Sequence, residues 1–139
     1  MRDIDRAMAL LDTNTCVLCR GDTVYASQKT GISPMLDWLS EGKDLRSFSA
    51  ADKIVGKAAA LLFVLAGIRE VYGAVMSEAG LQVLQTHGIP CAYGTLTPHI
   101  INRRGTGICP MEETVQTIED PEAALDALLK KRELLRNMK

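Results

Sequence analysis

The stretch AAALLFVLAG, from Ala58 to Gly67, has ten consecutive residues without a charge and follows two lysines, Lys53 and Lys57. A helix that is apolar on every side needs other elements to cover nearly all of its surface. The chain must therefore place further helices or a sheet around this segment. With 139 residues, of which 47% are hydrophobic, it is long enough to do so as one domain.

Strands and helices alternate along the rest of the chain. Short apolar runs indicate strands in IREVYGAVM, in PCAYGTLT and in TCVLCRGDTVYASQ, which reads as a hairpin around Arg20-Gly21-Asp22. Helical signals occur in the first twelve residues and in SPMLDWLSEG, SEAGLQVLQTHG, PMEETVQTI and PEAALDALLKKRELLRN. This alternation predicts a three-layer α/β/α fold in a single domain, residues 1–139.

Composition excludes several classes of function. The formal net charge is -1, from 16 basic and 17 acidic residues, and aromatic residues make up only 4%, which argues against a nucleic-acid partner. No apolar run approaches the roughly 20 residues that cross a bilayer. The charged amphipathic start MRDIDRAMALLD is unlike a signal peptide, so we expect a cytoplasmic protein whose four cysteines are reduced thiols.

The two lysines raise a question about electrostatics. Ser49 followed by Asp52 resembles a capping box, which predicts a helix that begins at Ser49 and carries Lys53 and Lys57 in its first turns. Ammonium groups there oppose the helix dipole. They either extend to water along the protein surface or bind an anion, and Gly56 would leave room for a ligand beside Lys57.

Two further predicted helix N-termini could also face an anion. Ser77 follows a strand and caps a helix, and Cys109 precedes Pro110 in GTGICPMEE. Ligands of α/β sheets bind beyond the carboxyl ends of strands, where such N-termini meet. If the three N-termini converge, Lys53, Lys57, Ser77 and Cys109 line one pocket. Cys109 is also a candidate nucleophile, although a packed or capping thiol is the commoner role for such a cysteine.

The spacing of Cys16 and Cys19 in CVLC fits zinc or redox sites, with Cys91, Cys109 and the two histidines as further candidate ligands. In a strand, however, residues three apart point to opposite faces of the sheet. The sequence therefore predicts no metal site.

Three blocks, ADKIVGKAAALL, VYGAVMSEAGLQVL and INRRGTGICPMEE, resemble a family of uncharacterised bacterial proteins classed as a domain of unknown function. The resemblance covers nearly the whole chain. It implies a cytidine-deaminase-like fold, in which a mixed sheet that starts with a hairpin lies between helices.

Enzymes of that fold hold zinc with a His-Ala-Glu block and a Pro-Cys-x-x-Cys block at two helix N-termini. The corresponding stretches here are Asp52-Lys53 and Met76 to Gly80, and neither contains histidine or cysteine. The resemblance therefore implies the scaffold without zinc-dependent deamination, and we predict no metal and no cofactor.

Two functions remain. The first is binding of a small anionic, nucleotide-like ligand, with catalysis left open; its candidate residues are Asp52, Lys53, Lys57, Ser77, Asn102 and Arg103. The second is a non-catalytic structural or interaction protein that forms a homodimer through the apolar helix or the terminal helices.

Overall fold

A computed structural model describes residues 1–102 and 104–138 of the chain. The helices are α1 (Asp3–Leu10), α2 (Ser33–Ser40), α3 (Lys57–Ala66), α4 (Glu78–Thr86), α5 (Pro110–Thr114) and α6 (Pro121–Asn137). The strands are β1 (Cys16–Arg20), β2 (Thr23–Ser27), β3 (Ser49–Val55), β4 (Glu70–Ser77) and β5 (Cys91–Thr97).

The five strands form one mixed sheet in the order β2-β1-β3-β4-β5. β1 pairs antiparallel with both β2 and β3, whereas β3, β4 and β5 run parallel. The hairpin of β1 and β2 turns through Gly21, whose φ of 56° suits glycine. Each parallel pair is joined through a helix, α3 between β3 and β4 and α4 between β4 and β5, as parallel crossovers require.

Helices cover both faces of this sheet. α1 packs on one face, against Val17, Cys19 and Ala51. The other face carries the larger core, to which α2, α3, α4 and α6 contribute, with Leu18, Phe63 and Leu128 fully buried. The predicted three-layer α/β class is confirmed, while the bounds 1–139 of a single domain stay a prediction.

The segment from Ser49 to Val55 corrects one prediction. It forms β3 and not the start of a helix, so the proposed capping box of Ser49 and Asp52 is wrong. The Ser49 hydroxyl instead donates to Glu70 Oε1 at 3.2 Å, across the pairing of β3 with β4. β3 pairs on both edges with strands that are distant in sequence, and such pairing leaves no local signal that separates this segment from the start of a helix.

The apolar helix therefore begins later than predicted, at Lys57, with Gly56 at its N-cap and Gly67 in a left-handed conformation after its end. Seven of its ten residues are buried within the chain, including Leu61, Leu62 and Phe63. Burying each of these large side chains stabilises the fold by about 1.5–3 kcal/mol. With these side chains already covered, α3 has little apolar surface to offer a second copy.

Candidate functional site

A cavity of about 350 Å³ lies at the carboxyl end of the parallel strands, where α3 and α4 begin. We call it the carboxyl-end cavity. Its lining residues come from the two helix starts, the segment after β5 and the region of α5: Lys57, Ser77, Glu78, Ala79, Gln82, Pro98, His99, Ile100, Ile108, Glu112 and Gln116. A second depression, of about 440 Å³, lies at the opposite end of the sheet, where β4 and β5 start, and includes Arg69 and Glu70. We take the carboxyl-end cavity as the candidate site because ligands of α/β sheets bind at that end.

The N-terminus of α3 is capped by a carboxylate from a distant part of the chain. The N–H groups of Lys57 and Ala58 donate to Glu112 Oε1 and Oε2, both at 2.8 Å. A carboxylate in this position satisfies two amides that lack a partner within the helix and interacts favourably with the helix dipole. Glu112 therefore occupies the place in which the sequence predicted an anionic ligand.

Gly56 makes this cap possible. A Cβ built on Gly56 would lie 2.5 Å from the Glu112 Cδ atom and closer still to Oε1. Its φ of -100° is accessible to any residue, so backbone strain does not explain the glycine. The room predicted beside Lys57 is present, and the side chain of Glu112 fills it.

The Lys57 ammonium is also compensated within the chain. Its Nζ atom lies 2.8 Å from Glu119 Oε1 and donates to the carbonyl oxygen of Gln116 at 3.2 Å. The Lys57 side chain is only 11% exposed, whereas that of Glu119 is 80% exposed. Lys57 therefore contacts two acceptors on the segment after α5 and still borders the cavity.

The N-terminus of α4 is built as the sequence predicts. The Ser77 hydroxyl accepts a hydrogen bond from Gly80 N at 3.0 Å and caps the helix. Gly80 lies so close to the end of β3 that an added Cβ would be 2.9 Å from the Val55 carbonyl oxygen. This close approach brings the first residues of α3 and α4 together at the carboxyl-end cavity.

The structure separates the other predicted site residues. Of the predicted residues, the cavity lining includes Lys57 and Ser77. Lys53 is exposed on β3 and does not lie at a helix N-terminus, which corrects that part of the prediction. Asn102 lies in the turn after β5, where its side chain bonds to Thr106. Arg103 lies outside the described residues.

Asp52 is a buried carboxyl on β3 and is only 5% exposed. It pairs in register with Cys16 on β1 and Gly73 on β4. Burial raises the pKa of this carboxyl to about 7, and hydrogen bonds from the amides of Ile54 and Lys53 only partly oppose the effect. A raised pKa is common at functional sites, but Asp52 is not among the residues that line the cavity.

The four cysteines are free thiols in distinct environments. Cys16 and Cys19 lie on opposite faces of β1, since Cys16 belongs to the larger core and Cys19 to the α1 side. Burial raises the pKa values of both thiols and of Cys91. Cys109 is half-buried at the N-cap of α5, next to the cavity but not among its lining residues.

Sequence reasoning missed most of the lining residues, including Glu78, Gln82, His99, Glu112 and Gln116. Glu78 was detectable, because it directly follows the predicted cap Ser77. The acidic pair Glu112 and Glu113 was visible too, but only as acidic residues in the first turn of α5 and not as a cap of α3. Among residues 1–102 and 104–138, no group of three His, Cys, Asp or Glu side chains could hold a metal ion.

The fold and the site define an α/β protein with a mixed five-stranded sheet and a cavity beyond its parallel strands. The chain belongs to the family described as TM1506, domain of unknown function (DUF1893), whose model matches residues 7–131. No curated protein matches the sequence.

A solved structure supports the fold. The crystal structure of a DUF1893 family protein (TM1506) from Thermotoga maritima at 2.70 Å resolution is similar, with a TM-score of 0.84 and 24% sequence identity. The likeness covers 94% of this chain and 91% of that chain, and at this identity it concerns the fold alone. Within the described part of the chain, no helix is both long and apolar enough to cross a membrane.

Proposed function

We propose that the chain binds a small anionic, nucleotide-like molecule in the carboxyl-end cavity, on a cytidine-deaminase-like scaffold that lacks the zinc-ligand motifs. The observation that carries this proposal is the meeting of two helix N-termini, those of α3 and α4, at one cavity beyond the parallel strands. Such N-termini favour anions through their amides and dipoles. The initial hairpin and the mixed sheet between helices support the scaffold assignment.

The two N-termini have different roles in this proposal. The amides of Lys57 and Ala58 bond to Glu112, so the anionic group of the ligand binds at the start of α4, beside Ser77 and Ala79. Lys57 adds a positive charge at the edge of the cavity, partly offset by Glu119.

The remaining lining groups limit the class of ligand. Carboxylates of Glu78 and Glu112 border the cavity and repel a molecule that is anionic throughout. Gln82, Gln116 and His99 offer donors and acceptors. A ligand with one anionic group and several N–H or O–H donors, as in a nucleoside monophosphate, suits this combination.

Calorimetry and thermal-shift measurements with nucleoside monophosphates, nucleosides, inorganic phosphate and dicarboxylates test the proposal. A nucleoside monophosphate should raise the melting temperature more than the matching nucleoside or inorganic phosphate does. Gln82→Ala should weaken that binding about tenfold. Gln85→Ala is the matched control, because Gln85 is also exposed on α4 but does not line the cavity.

Absence of stabilisation by every compound would contradict the proposed site, and so would equal effects of Gln82→Ala and Gln85→Ala.

We further propose a cytoplasmic location, supported by four free cysteines.

A second candidate function is that of a non-catalytic interaction protein that forms a homodimer. It is favoured by one observation: strand β5 lies at the edge of the sheet with Ala92 to Leu96 all exposed.

A further inference from the structure

We propose that residues 108–114, which include α5, form a lid on one side of the carboxyl-end cavity, and that the Glu112 carboxylate is the latch of this lid. The latch opens for ligand exchange while α3 stays folded. The inference concerns the regulation of the candidate ligand site and therefore rests on the proposed function. It follows from where the lid lies, from how the lid is held and from the unequal burial of the lid and α3.

The carboxyl-end cavity lies between two walls of different construction. The starts of α3 and α4 provide one wall, which includes Lys57 and Ser77. These two helices directly follow β3 and β4 and are fixed by the sheet. The chain after β5 provides the other wall, which includes Ile108 and Glu112 of the lid. A molecule that fills the cavity contacts both walls, so movement of the lid alone changes access to it.

Hydrogen bonds join the lid to the rest of the protein at few points. Glu112 accepts two bonds from the start of α3, both at 2.8 Å. The N–H of Cys109 donates to the carbonyl oxygen of Ile100 at 3.0 Å, but Ile100 itself lies beyond the end of β5. Within the described part of the chain, the other bonds of the lid stay inside it or reach Val115 and Gln116. Glu112 is therefore the hydrogen-bonded link between the lid and α3.

Burial differs between the lid and the helix to which it bonds. The structure describes all of the lid, and none of its residues is fully buried; Met111 packs against the larger core but is only half-buried. Val115, directly after the lid, is 0% exposed and fixes its C-terminal end. Seven of the ten residues of α3 are buried. Segments with few buried apolar contacts open locally while core elements stay folded, so the lid can detach at Glu112 without unfolding of α3.

Two backbone amides report directly on the latch. The first N–H groups of a helix have no acceptor within the helix, and Glu112 is the acceptor for those of Lys57 and Ala58. Inside the helix, the N–H of Ala60 donates to the carbonyl oxygen of Gly56 at 3.0 Å. When the latch opens, the amides of Lys57 and Ala58 therefore lose their acceptor, whereas that of Ala60 keeps its own.

Residue-resolved hydrogen exchange on the full chain tests the proposal. The amides of Lys57 and Ala58 should exchange about tenfold faster than that of Leu61, or faster still. Low concentrations of urea should accelerate exchange at Leu61 alone, because opening of the lid exposes little surface. The nucleoside monophosphate that stabilises the protein most should, at saturation, slow exchange at Lys57 and Ala58 about tenfold, because it holds the two walls together.

Two variants assign the protection of these amides to the latch. Glu112→Ala should remove the protection of Lys57 and Ala58 while the amide of Leu61 stays protected, which also shows that the variant is folded. Glu113→Ala is the matched control, because Glu113 is exposed on α5 and does not line the cavity. It should leave exchange at both amides unchanged.

The possible outcomes separate this inference from the proposed function. Exchange of Lys57 and Ala58 at the rate of Leu61 would overturn the lid, whether or not a nucleotide binds. Nucleotide binding that leaves exchange at both amides unchanged would also overturn it, because the ligand would not close the lid. Fast exchange at these amides without binding of any nucleoside monophosphate would overturn the proposed function, and with it the role of the lid in ligand exchange.

Discussion

The Glu112 carboxylate accepts the backbone N–H of Lys57 at 2.8 Å, although the two residues are 55 positions apart in the chain. Its second oxygen accepts from Ala58 at the same distance. One side chain thus caps the buried helix α3 from another segment. The Lys57 ammonium is expected to interact unfavourably with the positive end of the helix dipole. The carboxylates of Glu112 and Glu119 offset this interaction.

Glu112→Ala should lower the free energy of unfolding by about 2–3 kcal/mol, because two helix amides lose a charged acceptor. Glu112→Gln keeps one acceptor oxygen and should cost less. The measurement is urea denaturation followed by circular dichroism. Glu113→Ala is the matched control, since Glu113 is exposed on the same helix and should change stability by less than about 0.5 kcal/mol. Equal costs for the two alanine variants would remove Glu112 as the cap of α3.

Gly56→Ala should destabilise the chain through Glu112 and not through the backbone, because the added Cβ would displace the carboxylate. The double variant Gly56→Ala, Glu112→Ala should therefore cost clearly less than the sum of the two single variants. A double-mutant cycle of unfolding free energies measures this coupling, which should exceed about 0.5 kcal/mol. Strict additivity would show that Gly56 serves another purpose.

Asp52 should make the protein less stable as the pH rises from about 4 to about 7. Its pKa is raised from 3.8 to about 7 in the folded chain, so in this range the folded state holds a proton that the unfolded state has lost. The stabilisation that the raised pKa of Asp52 provides is fully present below about pH 4 and is lost above about pH 7. Asp52→Asn should remove this dependence, and its stability relative to wild type should increase by about 4 kcal/mol across the range.

Denaturation curves at several pH values provide the check on Asp52. Asp22→Asn, at an exposed position in the hairpin turn, serves as the control and should preserve the wild-type profile. Parallel pH profiles of wild type and Asp52→Asn would contradict a buried, protonated Asp52.

Cys109 should be alkylated fastest of the four thiols in the folded protein. Cys16 and Cys19 are at most 1% exposed and should react only on unfolding, and burial raises the pKa of Cys91. Timed iodoacetamide labelling with peptide mass spectrometry ranks the sites. If Cys91 reacts faster than Cys109, the helix N-terminus does not activate Cys109, and Cys109 is no longer a candidate nucleophile.

Much of the fold was predictable from local signals. The hairpin turn at Gly21, the capping of α4 by Ser77 and the start of α5 at Pro110 depend on residues adjacent in sequence. Turn geometry and helix capping are local interactions, so a single sequence is enough to predict them. The alternation of strands and helices likewise predicted the α/β class.

The sequence by itself determined the order of elements and the need to bury the apolar helix. Tertiary structure decided that Ser49 to Val55 is a strand, because pairing with β1 and β4 on both edges outweighs a helix-like pattern. It also decided which anion meets the start of α3. Glu112 reaches Lys57 only because the chain after β5 stays at the carboxyl end of the sheet. A contact between segments 55 residues apart leaves no periodic or local trace in the sequence.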